Sequence, residues 1–146
     1  MRGQGPIMPA HLLDTGILIR HLRGNAAYAT LLQNMAQDGP LLVSAFTRVE
    51  ILRGMRDHER QATMALLDAL LTVPLDRESA DVAGEWLRVY RSRGVTLSGP
   101  DAVIAAAALV SGASLVTTNP RHFPMPELQV LAVDEEGRAS DASRRD

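Results

Sequence analysis

Three acidic residues, Asp14, Glu50 and Asp101, stand where carboxylates can do chemistry. Asp14 follows Leu12 and Leu13 at the expected carboxyl end of a first strand, and open α/β sheets take their ligands in the crevice outside the carboxyl ends of their strands. Glu50 lies three residues after Thr47, and Asp101 three residues after Ser98. Both pairs therefore satisfy the capping-box pattern, in which a hydroxyl and an acid bond the free amides of a helix start. Asp14 has an equally plain structural role as the N-cap of the next helix. Taken singly, capping explains each acid. Taken together, acids at strand ends or first helical turns converge on one edge of a parallel sheet if those strands are neighbours. Carboxylates gathered there repel and raise one another's pKa unless a cation neutralises them. Ligation by oxygen alone suits a hard cation, Mg²⁺ or Mn²⁺, which takes a few carboxylates plus water and substrate phosphate.

Around these acids, the hydroxyls of Thr15, Thr117 and Thr118 can bond a carboxylate or phosphate, the alternative being their own backbone. Arg20, His21 and Arg23 follow Asp14 closely in sequence and either meet the phosphates of a ligand or form a solvated helix face. Arg121 and His122 carry the same two alternatives. The four histidines are not at metal-ligand spacing, no HExxH pattern exists, and there is neither a GxSxG nucleophile nor a GxxxxGK[ST] phosphate loop. Zinc hydrolysis, serine catalysis and NTP hydrolysis are thereby disfavoured.

Composition narrows the classes further. A chain of 146 residues fits one domain, and 46% hydrophobic with 22% charged residues is the balance of an ordinary globular protein. With aromatics at only 3%, base stacking is a poor binding mode, so any nucleic-acid contact has to be electrostatic. The absence of cysteine removes thiolate chemistry and disulfides and agrees with a reduced cytoplasm. A net charge of −2 argues against a general nucleic-acid coating protein but not against a nuclease, whose acids become locally positive on loading a cation. No apolar run has the length of a membrane span, and residues 1–10 lack the apolar stretch of a signal peptide, so a cytoplasmic location and no membrane partner are expected.

The elements that must position the acids follow from periodicity. Residues 1–10, with two glycines and two prolines, read as a loose leader, and 134–146, polar and charged, as a mobile tail. Between them, residues 11–133 alternate short apolar runs with helical ones, as βα units on a parallel sheet do. Strands are predicted over 11–14, 41–44, 72–75, 114–117 and 129–133. Helices are predicted over 16–22, 26–37, 49–55, 59–71, 78–91 and 101–110. In the 59–71 helix, Ala62, Ala65, Leu66 and Ala69 define one face, while Met64, Leu67 and Leu71 spread beyond it as a surplus that suits a dimer patch or, alternatively, a helix buried on two sides.

Leu12-Leu13-Asp14-Thr15, the stretch from Val43 through Thr47 and Glu50 to Gly54, and Asp101 to Ala108 followed by Gly112 to Asn119 together resemble PIN-domain toxins of the VapC type. Order and spacing agree over residues 12–133. The resemblance implies a three-layer α/β/α sandwich with a central parallel sheet and an endoribonuclease dependent on Mg²⁺ or Mn²⁺. It also implies a homodimer neutralised by a cognate antitoxin. Asp14, Glu50 and Asp101 carry over as metal ligands and catalytic acids. The fourth acidic position of the family falls on Asn119, which joins Thr15 and Thr117 around the ligands. The competing readings are a PIN nuclease of RNA processing, distinguished by the absence of a neighbouring antitoxin gene, and a silent binding module, distinguished by failure to bind divalent cations.

Overall fold

The computed structural model describes residues 9–144, so most of the expected leader, residues 1–8, lies outside the described residues, as do 145–146. The chain runs β1 (His11–Leu13), α1 (Thr15–Leu22), α2 (Ala26–Asp38), β2 (Leu41–Ser44), α3 (Ala45–Arg53), a 3-10 turn (Asp57–Glu59), α4 (Arg60–Asp68) and β3 (Leu71–Val73). It continues through α5 (Arg77–Ser92), α6 (Gly99–Ser111), β4 (Ser114–Thr117), a second 3-10 turn (Pro120–His122), β5 (Val130–Val133) and β6 (Ala139–Asp141). The sheet order is β3-β2-β1-β4-β5-β6. The first five strands are mutually parallel and β6 pairs antiparallel with β5.

Alternation along each strand builds the layers, because successive side chains of a strand point to opposite faces. Leu12, Leu42, Leu115 and Val130 pack with Ala83, Trp86 and Tyr90 of α5 and with the alanines of α6. Their neighbours Leu13, Val43, Val116 and Val133 pack with Ile17, Tyr28, Leu31, Ile51 and Leu67 from α1 to α4. The result is helix, sheet and helix in three layers. α6 buries Ala102, Ala105, Ala106, Ala107 and Ala108, whose short side chains let its backbone seat close to the sheet. Among the described residues, no helix is long and apolar enough to cross a membrane.

The structure departs from the sequence reading in several places. α3 begins at Ala45, not 49, because Ser44 at the end of β2 caps it directly, its hydroxyl accepting from Phe46 N at 3.1 Å. α4 stops at Asp68, and it buries Thr63 and Leu67 and leaves Ala62, Ala65 and Ala69 outside; alanine contributes too little apolar area to decide which face turns inward. The expected mobile tail contains β6, whose pairing with β5 supplies backbone bonds that its polar side chains do not advertise.

Candidate metal centre

The chain lays down β1, β2 and β3 outward in one direction, then returns to place β4 on the other flank of β1. Strand order reverses between β1 and β4, the position where open α/β sheets form their ligand crevice. Asp14 follows β1 there, its amide bonded to Val116 O of β4 at 2.9 Å. It is the N-cap of α1, with Oδ1 accepting from Thr15 N at 2.8 Å. Oδ2 accepts the Thr117 hydroxyl at 2.7 Å, a bond between the ends of adjacent strands. Only 9% of Asp14 is exposed. Burial pushes its carboxyl above the ordinary carboxylate range; the bonds from Thr117 and Thr15 oppose that rise, and the charges of Asp101 and Glu50 add to it.

Glu50 lies in the second turn of α3, not at a helix start, so the expected Thr47–Glu50 capping box does not form. Thr47 is instead fully buried in the first turn. Thr15 Oγ1 donates to Glu50 Oε1 at 2.6 Å and lies 3.0 Å from the Thr47 hydroxyl, joining α1 to α3. Asp101 is in the first turn of α6, where its amide donates to Ser98 Oγ at 3.1 Å, with Pro100 early in that turn. Its side chain remains 24% exposed, and His122 Nδ1 approaches Asp101 Oδ2 to 3.4 Å.

Thr117 is thus held against Asp14, whereas Thr118 is half-buried beside Gly16. A Cβ at Gly16 would come within 3.3 Å of Thr118 Oγ1, so glycine permits α1 to start this close to the end of β4. Asn119 is exposed at the same edge, with its amide nitrogen 3.4 Å from Thr118 Oγ1 and its backbone amide donating to Thr117 Oγ1 at 3.0 Å. Arg20 packs its guanidinium 5.5 Å from the ring centre of Tyr28, and Arg23 is the exposed C-cap of α1. Both sit at the far end of α1 from Asp14. The contact of His122 with Asp101 joins residues 21 apart and had no local signal in the sequence.

Among the described residues, no three Asp, Glu, His or Cys side chains close into a preformed coordination cage. The three acids are electrostatic neighbours instead, and no Arg is paired with any of them among the described residues. Uncompensated carboxylates, one of them buried, offering only oxygen donors, fit a hard divalent cation whose shell is completed by water or phosphate. They fit a soft metal poorly.

Residues 11–127 match the PIN domain family model. The chain is 40% identical over 120 residues to Ribonuclease VapC19 of Mycobacterium tuberculosis, covering 81% of this chain and 96% of that protein. It is 38% identical over 116 residues to Ribonuclease VapC10 of the same organism, covering 80% and 87%. In fold it is similar to VapBC2 from Rickettsia felis bound to a DNA fragment from its promoter, with a TM-score of 0.76 at 20% identity over 86% of this chain and 99% of that one. DNA-bound VapBC from Salmonella typhimurium gives a TM-score of 0.75 at 20% identity over 84% and 97%.

Proposed function

The chain belongs to the PIN domain family, and from that premise we propose that it is a VapC-type toxin, an endoribonuclease that works with a divalent cation, Mg²⁺ or Mn²⁺, in the cytoplasm. The observation that carries the metal-dependent reading is the environment of Asp14: a buried acid at the switch point of the sheet, raised by burial and by Asp101 and Glu50.

Asp14, Asp101 and Glu50 are the residues that would hold the cation. When bound, the ion supplies charge stabilisation on a phosphoryl oxygen and activation of water for in-line displacement, so no protein nucleophile is required. The chain's own contribution is positional. Thr117 and the Thr15 amide fix both oxygens of Asp14. The Thr15 hydroxyl fixes one oxygen of Glu50. Asp101 and Glu50 are both more open than the buried Asp14 to a phosphate and water arriving from solvent, and one of them would orient the attacking water. Asn119 would bring an amide oxygen where a fourth acid would bring charge, so the three acids would hold one ion more tightly than any second one.

The partners that follow are RNA, a cognate antitoxin and a second copy of the chain. Structural relatives that are VapBC complexes support the antitoxin. For self-association, Val49 and Leu52 stand 55% and 36% exposed, three residues apart on α3, and Leu71 stands 61% exposed at the sheet edge. The test is cleavage of cellular RNA, read by sequencing RNA ends after induced expression. New ends with the native protein and none with Asp101→Asn support the reading; identical end profiles overturn it.

A further inference from the structure

We propose that the 3-10 turn Pro120–His122 is a substrate-binding wall, in which Arg121 takes an RNA backbone phosphate and His122 contacts the adjoining ribose-phosphate at Asp101. The inference rests on the ribonuclease reading of the acidic centre and names the residues that hold its substrate.

The turn is wired to the centre at one end and to the core at the other. It begins after Asn119, whose amide donates to Thr117 Oγ1, and that same hydroxyl donates to Asp14 Oδ2. Within it, His122 N donates to Asn119 O at 3.0 Å and Phe123 N to Pro120 O at 3.1 Å. Beyond it, Phe123 is 1% exposed and Met125 is fully buried. Pro120 removes one backbone freedom at the start. A turn fixed this way sets the direction of the two side chains between its anchors, and both are exposed.

The charge of Arg121 has no internal use that accounts for it. Among the described residues Arg121 makes no ion pair, and the His122 contact with Asp101 leaves that imidazole 57% exposed. By contrast Arg20 is spent on Tyr28, Arg48 on Leu67 O and Asp68, and Arg88 on Glu85. Arg121 therefore presents a free guanidinium fork two residues from Asn119, of the geometry that takes phosphate oxygens in pairs. An RNA strand with one phosphate over the acids must lay its neighbouring phosphate beside them. Phosphate contacts position a nucleic acid without reading its sequence, which is the electrostatic mode that a chain poor in aromatics requires.

The test uses the full chain in chelator and a fluorescein-labelled single-stranded RNA, so that anisotropy reads binding without cleavage. Arg121→Ala should weaken binding several-fold and reduce the slope of log affinity against log salt by about one counterion, with Arg121→Lys restoring most of the slope. With metal supplied, Arg121→Ala and His122→Ala should raise KM more than they lower kcat, and His122→Asn should recover part of the loss. Unchanged affinity and salt slope in Arg121→Ala overturn the proposal. A loss of antitoxin binding with RNA affinity intact also overturns it, by assigning the turn to a protein partner. If the native protein cleaves no RNA while Arg121→Ala still lowers the salt slope, the ribonuclease reading fails and the binding wall stands.

Discussion

Thr15 Oγ1 and Glu50 Oε1 lie 2.6 Å apart, a hydrogen bond that ties the first residue of α1 to the middle of α3 across 35 residues of chain. Without it, Glu50 has a free rotor where the centre needs a fixed oxygen. Thr15→Val, which keeps the shape and removes the hydroxyl, should lower RNA cleavage about tenfold while costing on the order of 1 kcal/mol of stability in urea unfolding. Thr15→Ser should retain most activity. Equal activity of the valine and serine variants would remove Glu50 positioning from the argument.

Asp14→Asn tests the energetic state of the buried acid. A carboxyl raised in the folded state makes its stabilising contribution below the unfolded value of 3.8 and loses it as pH rises through the folded value. In chelator, at pH above its raised folded value, the ionised Asp14 is a net strain, and there the asparagine variant should melt at a higher temperature than the native protein, with the gap closing in acid. Cleavage should fall by at least about a hundredfold, the scale expected when a metal-ligand position is removed.

His11 gives the opposite pH dependence at the other end of β1. Burial lowers its pKa, against a smaller upward pull from Asp38, so the folded protein keeps it neutral. Its contribution is complete above 6.5 and is lost as pH falls through 6.5 towards the folded value, because the unfolded chain takes up the proton first. Its Nδ1 is buried without a hydrogen-bond partner. His11→Leu should flatten the stability profile between about pH 7.5 and 5.5; a profile as steep as the native one would assign the acid loss elsewhere.

Asn119→Asp should strengthen Mn²⁺ binding in the absence of RNA, since a carboxylate attracts a cation far more than an amide does. Isothermal calorimetry should show a several-fold gain or a second ion. Unchanged affinity and stoichiometry would leave Asn119 as a turn former before Pro120.

An antitoxin that inserts an arginine among Asp14, Glu50 and Asp101 competes with the cation for the same charge. The purified complex should therefore bind Mn²⁺ more weakly than the free toxin, and equal affinities would move the inhibitory contact away from the acids.

The sequence revealed the strand ends well and the side-chain network poorly. Asp14 was legible because an apolar run ends on it, and Asp101 because Ser98 and Pro100 announce a helix start. Glu50 was legible as an acid behind β2 but misplaced within its helix, since Thr47 and Ser44 both look like caps and only burial of Thr47 separates them. β6 was hidden because Ala139, Ser140 and Asp141 have no strand-like side chains, and what orders them is the free edge of β5. The Thr117 bond to Asp14 spans 103 residues, a separation at which no local pattern exists.

That separation also bears on synthesis. β4 lies between β1 and β5 in the sheet, yet it leaves the ribosome after β1, β2 and β3 and after α1 through α6. Until it emerges, Asp14 lacks both the Thr117 hydroxyl and the backbone of Val116, and β1 has one flank unpaired. A nascent chain that already holds all three acids therefore still lacks the strand that fixes Asp14, and the centre is completed only when β4 is threaded between β1 and β5.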